Sequence, residues 1–171
     1  KFPNNKYYAS DISEQAILQA KNGEYSSVKF MVSPGLDIWL NQKFDLVICD
    51  ISAISEKIAN LSDWYDGVSC RTGTDGLSLV RPVIQNVTKI LNPGGVFVIP
   101  IISLCDVYQQ KEILMQAFSS IEYSKKINWP MPKDLLLSIE GNSIPLDSHY
   151  LNIERKFEMI VASTYAATCS V

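Results

Sequence analysis

Between Phe44 and Ser103 the chain spells out a strand, a loop, a helix, a turn and a second strand. The segment FDLVICD (44–50) is apolar almost throughout until it closes on an acid, and VFVIPIIS (96–103) is another such run. A strand this uniformly apolar is expected to be covered on both faces, as in a parallel sheet flanked by helices. Between the two runs, Leu77, Val80, Val83, Ile84, Val87, Ile90 and Leu91 recur at helical spacing, with Thr74 or Asp75 as the expected N-cap. Pro82 falls inside this helix and bends or delays it. Asn92-Pro93-Gly94-Gly95 reads as a turn by composition. Sheets built in this order present a crevice at the carboxyl ends of their parallel strands, where a ligand can sit. Asp50 is expected at the mouth of that crevice.

The flanking sequence extends the alternation. Tyr7 to Ser10 reads as a strand ending in Asp11, and Asp11 or Ser13 caps a helix to about Asn22, with Asn22-Gly23 as its stop. Val28 to Val32 is a second strand, Ser33-Pro34-Gly35 breaks it, and Leu36 to Leu40 forms a turn of helix. Ser55 to Leu61 makes a short helix, and Asp63-Trp64-Tyr65-Asp66-Gly67 a loop with aromatic anchors. Asp106 to Phe118 is a long amphipathic helix, followed by a strand from Ile121 to Ile127. Residues 128–154, with Pro130, Pro132 and Pro145, read as a long connection to a last strand at Phe157 to Ser163. Strands alternating with helices predict an α/β domain with a mainly parallel sheet, helices on both faces and an antiparallel last strand.

Composition narrows the function. Hydrophobic residues at 47% and charged residues at 19% describe an ordinary globular chain, and 171 residues suffice for one domain with a sizeable core. No apolar run approaches the length that spans a bilayer, and KFPNNKYY is not a signal peptide, so no membrane role is expected. The net charge is -3 and the largest basic clusters are Lys125-Lys126 and Arg155-Lys156, so no nucleic-acid partner is expected. Four cysteines without CxxC spacing read as reduced thiols of a cytoplasmic protein. With His149 the single histidine, neither a catalytic triad nor a multi-histidine metal site is expected, and no metal ligands are assigned. A nicotinamide-dependent dehydrogenase shares the fold class, but no Gly-x-Gly-x-x-Gly occurs.

Four words of the chain, YYASDISEQAILQAKN (7–22), FDLVICD (44–50), GTDGL (73–77) and ILNPGGVFVI (90–99), stand in an order and spacing with a counterpart elsewhere. Together they resemble the class I S-adenosylmethionine-dependent methyltransferases. The likeness is greatest to the "methyltransferase small domain" group that includes the release-factor glutamine methyltransferases. It covers residues 1–105 well and the remainder in its element order. The resemblance implies a Rossmann-like fold over one domain, residues 1–171, and S-adenosyl-L-methionine as cofactor. By this likeness Asp11 accepts hydrogen bonds from both ribose hydroxyls, Ile12 packs against the adenine, and Asp50 stands near the methionine amino group and the transferred methyl. Read without the resemblance, Asp11 is a helix cap and Asp50 a turn residue. Gly73, Asp75, Gly94 and Gly95 are explained by turns and caps alone.

Two departures from the family shape the expectation. Where glutamine- and nucleobase-methylating relatives carry Asn-Pro-Pro followed by Tyr or Phe, this chain has Asp50-Ile51-Ser52-Ala53. A carboxylate cannot supply the donor-plus-acceptor pattern that orients a planar amide or amino nitrogen. The expected activity is therefore O- or amine N-methylation of a small molecule or a protein, with Asp50 as the catalytic residue; the alternative is a catalytically inactive methyltransferase-like interaction module. The second departure is at the amino terminus. The family's first strand and glycine-rich loop are absent from this chain, which is expected to be an N-terminally incomplete domain whose missing strand comes from a partner segment, an upstream segment or an element rearranged from within.

Overall fold

The structure, a computed structural model, describes residues 5–23, 25–51, 53–65, 70–146 and 148–171. Residues 1–4 of the amino-terminal word, Ser52 of the Asp50–Ala53 word and Asp66-Gly67 of the aromatic loop lie outside the described residues. The chain divides into two compact units, Lys1–Lys43 and Phe44–Val171.

The first unit is one strand–helix–strand crossover: β1 (Tyr7–Asp11), α1 (Glu14–Lys21) and β2 (Val28–Val32). The strands pair in parallel, with Tyr7 opposite Val28 and Asp11 opposite Val32. Of the two candidate caps, Ser13 is the one used: its side chain accepts from the Ala16 N–H at 3.1 Å. Glu14 in the first turn and Lys21 in the last complement the helix dipole. Ile17, 4% exposed, anchors the helix. A short 3-10 turn at Asp37–Trp39 buries the Trp39 indole, which donates to Ser10 Oγ at 3.0 Å and meets the Tyr8 ring edge-on.

The second unit holds β3 (Phe44–Ile48), α2 (Glu56–Ala59), a 3-10 turn at Asp63–Tyr65, α3 (Val80–Ile90), β4 (Leu91–Ile102), α4 (Val107–Ala117), β5 (Ser120–Tyr123), β6 (Ile127–Pro130), α5 (Lys133–Gly141), β7 (Glu154–Lys156) and β8 (Met159–Ser170). Its six strands form one sheet ordered β3-β4-β8-β5, with β6 and β7 also paired to β8. β3 and β4 are parallel; every strand that pairs with β8 is antiparallel to it. Val161 faces both Pro130 of β6 and Glu154 of β7, so these two strands flank opposite edges of β8. The last strand is thus the sheet's spine, with β4 then β7 along one edge and β5 then β6 along the other.

The predicted apolar stripe forms the core. Val80, Val83, Ile84, Val87 and Ile90 of α3 are buried, together with Leu77 before it and Leu91 after it. They pack with Phe97, Ile99 and Ile101 of β4, each 0% exposed, and with Leu114 of α4. Asp106 caps α4, accepting from the Gln109 N–H at 3.0 Å.

Several local expectations are corrected. α3 begins at Val80, so Thr74 and Asp75 do not cap it; Pro82 sits in its first turn, where a missing N–H costs no hydrogen bond. Asn92–Gly95 is not a turn ahead of the strand but an irregularity within β4, where the pairing with β3 shifts between Phe44 and Leu46. The strand expected over 121–127 is two strands: Ser124 interrupts them, its Oγ accepting from the Ala166 N–H. The 128–154 connection contains α5, whose Leu135 and Ile139 join Ile54, Ile58, Leu104 and Leu151 in a second buried cluster. β8 extends to Ser170, seven residues past the expected limit. Finally, β3 is not covered on both faces: Leu46 and Ile48 are 54% and 71% exposed. Its uniform hydrophobicity is matched by partial burial of Phe44 and Val47 alone.

Candidate functional site

Because β3 and β4 are parallel, the residues following them leave the sheet at one rim. Asp50 follows β3, just beyond the Cys49 N–H that donates to Val98 O at 3.0 Å, and it is exposed. Ser103 follows β4 and accepts from the Ser163 N–H through its hydroxyl at 2.8 Å. Past Asp50 the backbone turns inward, and Ala53, Ile54 and Ser55 are buried.

Three loops are knitted together on this rim. The Ser55 N–H donates to Leu104 O at 2.7 Å and its hydroxyl to Thr74 O at 2.6 Å. The Thr72 hydroxyl donates to Ile54 O, the Gly73 N–H to Glu56 Oε2 at 3.1 Å, and the Asp106 N–H to Asp75 O at 2.8 Å. The buried hydroxyls of Ser55 and Thr72 are therefore satisfied, which is the condition for burying them without loss of stability. Gly76 has φ +78°, and a Cβ there would lie 2.7 Å from Cys105 Cβ. The GTDGL word is thus a close approach of two loops.

Asp75 serves the same platform. Its Oδ1 accepts from the Leu77 N–H at 2.9 Å and its Oδ2 pairs with Arg81 at 2.5 Å; Arg81 also reaches Gln109 of α4. Partial burial alone would raise the Asp75 carboxyl pKa, but the Arg81 and Leu77 hydrogen bonds and the Arg81 charge hold it below the usual range. Burial, then the charge of Asp106, pushes the Cys105 thiol up to about 12. Burial, with Asp50 beside it, pushes Cys49 up to about 11. Neither thiol is an ionised nucleophile at neutral pH.

Two clefts open in the second unit. One, of about 340 Å³, lies between Lys57 and Leu61 on one side and Asn142, Ile144 and Tyr150 on the other. The other, of about 270 Å³, lies where β4 gives way to α4, lined by Ser103, Lys111, Lys126, Asn152 and Tyr165 among others. Asp50 lines neither. Among the described residues no group of three or more His, Cys, Asp or Glu side chains is placed to hold a metal ion.

No family model matches this chain, and no curated protein matches it. Solved structures do. A precorrin-6y C5,15-methyltransferase from Geobacter metallireducens GS-15 superposes with a TM-score of 0.57 at 13% identity, covering 99% of this chain and 69% of its own. A methyltransferase from Pyrococcus furiosus gives 0.55 at 15% identity, over 99% of this chain and 64% of that one. The N-methyltransferase NodS from Bradyrhizobium japonicum WM9, in complex with S-adenosyl-l-homocysteine, gives 0.50 at 15%, over 99% and 68%. The chain has a Rossmann-like α/β fold similar to that of these structures. The chain spans about two thirds of the length of these methyltransferases.

On this fold the sequence-predicted residues take the following places. Asp11 closes β1 in the first unit; its Oδ1 accepts from the Ser13 N–H at 2.7 Å, and the residue is exposed. Ile12 beside it is 73% exposed, unusual for an isoleucine and unused by the unit's own packing. Asp50 closes β3 in the second unit. The aromatic anchors serve packing: Trp64 meets Trp129 edge to face, the Trp129 indole donates to Thr164 Oγ1, and Met131 is buried. Sequence reasoning missed the smaller cleft altogether. Its residues come from five separate segments, and no spacing in the chain brings them together.

Proposed function

We propose that this protein transfers a methyl group from S-adenosyl-L-methionine to an oxygen or amine nitrogen of a small-molecule or protein acceptor. The observation that carries the reading is the strand arrangement: acid-terminated β1 and β3, and the antiparallel β8 inserted between β4 and β5. This architecture accompanies sequence words of the small-domain methyltransferases, to which the reading assigns the chain.

The residues present fit the adenosyl part of the cofactor. Asp11 uses one carboxylate oxygen on the Ser13 N–H and is otherwise exposed, so an acceptor-only group is left for a pair of ribose hydroxyls. Ile12 offers an exposed apolar surface next to it, suited to a flat base. When bound, the cofactor supplies a sulfonium-activated methyl group. The chain's own task is positioning: holding the nucleophile in line accounts for a large part of such a rate. Asp50, an exposed carboxylate at the rim, orients the acceptor or takes its proton. In this reading a further segment pairs beside β3 and completes the cofactor site, and cysteines held as thiols rather than disulfides suit the reducing cytoplasm.

Isothermal titration of the native protein with S-adenosyl-L-homocysteine tests the reading. Saturable binding is expected, weakened at least tenfold by Asp11→Ala. Absence of binding to the native protein, or an Asp11→Ala variant that binds equally well, overturns it.

A further inference from the structure

The smaller cleft of the second unit contains a group that the fold leaves unused. Tyr165 of β8 is 5% exposed, and its hydroxyl is buried without a hydrogen-bond partner. A buried phenol usually finds a partner, and leaving one unpaired costs on the order of 1–3 kcal/mol. The methyltransferase architecture needs no tyrosine hydroxyl here; β8 would pair equally well with phenylalanine at this position.

Two ammonium groups converge on the same ring. Lys111 Nζ lies 5.5 Å from the Tyr165 ring centroid and 4.9 Å from that of Tyr123, and Lys126 Nζ lies 5.5 Å from Tyr165. Among the described residues neither lysine forms a salt bridge. The cleft's one carboxylate, Glu154, pairs with Lys156 at 3.4 Å. The lining therefore carries a net positive charge of one, with its two cations held by aromatic faces rather than by counter-ions. Burial raises the Tyr165 phenol pKa and the Lys126 charge pulls it back, leaving a neutral O–H donor at physiological pH.

The rest of the lining adds shape. Val107 and Ile153 supply apolar wall. Asn152 spends its amide N–H groups on Cys105 O and His149 O, at 3.0 Å each, so its own carbonyl is left as an acceptor.

We propose that this cleft binds a small organic carboxylate, its oxygens taken by Tyr165, Lys111 and Lys126 and its apolar body by Val107 and Ile153. A volume of about 270 Å³ suits a molecule near the size of a single substituted ring. The net lining charge of one matches a monoanion better than a dianionic phosphate ester. The cleft opens at the same rim as Asp50, but its binding does not depend on the methyl-transfer reading.

The test is titration of the native protein with benzoate, benzamide and phenyl phosphate, followed by amide chemical shifts and calorimetry. Benzoate is expected to bind saturably and shift resonances around Ser103, Lys111 and Asn152. Benzamide, of the same shape without charge, should bind at least tenfold more weakly. Lys111→Met and Lys126→Met should each weaken benzoate about tenfold. Tyr165→Phe should weaken it several-fold while leaving the melting temperature unchanged or higher, since it deletes a hydroxyl that has no partner. That pairing of lost affinity with retained stability is one a purely structural tyrosine would not show. Equal binding of benzoate and benzamide would reduce the cleft to an apolar hollow and overturn the proposal. So would tighter binding of phenyl phosphate, no binding of benzoate in the millimolar range, or a Tyr165→Phe variant with unchanged affinity. S-adenosyl-L-homocysteine binding, measured separately, fails or succeeds independently of these outcomes.

Discussion

Gly76 shows how little room the rim loops allow. Besides its left-handed backbone, a methyl group there would lie 2.9 Å from the Ile54 carbonyl carbon and the Ser55 nitrogen. Backbone cannot swing aside as a side-chain tip does, so strain and overpacking add. Gly76→Ala is expected to lower stability by roughly 2–4 kcal/mol, read from urea midpoints. Next to it, the Asp75–Arg81 pair gives a pH signature. The folded-state pKa of Asp75 is depressed, so its contribution is complete above the unfolded value of about 4 and fades as pH falls through the folded one. Asp75→Asn keeps an acceptor for the Leu77 N–H but removes the charge. Its stability should therefore fall less steeply than the parent's below about pH 4, by denaturant titration across pH. The thiols make a third case. Burial pushes Cys105 up to about 12 and Cys169 up to about 11, so both should resist a thiol reagent at pH 7 and react only on unfolding.

At the scale of elements, α5 is the most informative. Its Ile139 is 0% exposed in the cluster that joins α2, the Leu104 loop and Leu151. Ile139→Ala is expected to cost about 2–5 kcal/mol in thermal or denaturant unfolding, a core penalty in a segment that reads as a linker. The signal for this helix is present in the sequence as Leu135 and Ile139 at four-residue spacing, with Pro132 as the residue before it. Counting prolines as loop markers hides it, because a proline at a helix start is favourable rather than disruptive. α3 reads more easily, since the seven apolar positions of its predicted stripe are all buried, five of them within the helix. There the side chain of Asp75, a plausible cap by type, is already committed to Leu77 and Arg81. β8 hides for the opposite reason. Ala162, Ala167 and Cys169, each 0% exposed, have weak strand preference, but a strand paired along both edges is held by its neighbours rather than by its own preference.

For the molecule as a whole, the fold class is legible because it rests on repeated, redundant signals: two apolar runs, two long amphipathic helices and the turns between them. Burial of β3 is not, since composition records how apolar a strand is and not which neighbours arrive to cover it; Leu46 and Ile48 stand exposed. Asp11 and Asp50 are candidate site residues by family resemblance; Asp11 closes β1, and Asp50 follows β3. The Tyr165 cleft is invisible in sequence because it is assembled from distant, individually ordinary residues. The same topology also orders events in time. Every other strand of the second unit except β3 hydrogen-bonds to β8, and β8 follows all of them along the chain. A ribosome must therefore deliver Met159 to Ser170 before this sheet can close, and until then the nascent polypeptide carries β4, β5, β6 and β7 with edges awaiting a partner. Such a chain matures after synthesis of its spine rather than piece by piece, and in the interval those unpaired edges are open to pairing with other chains.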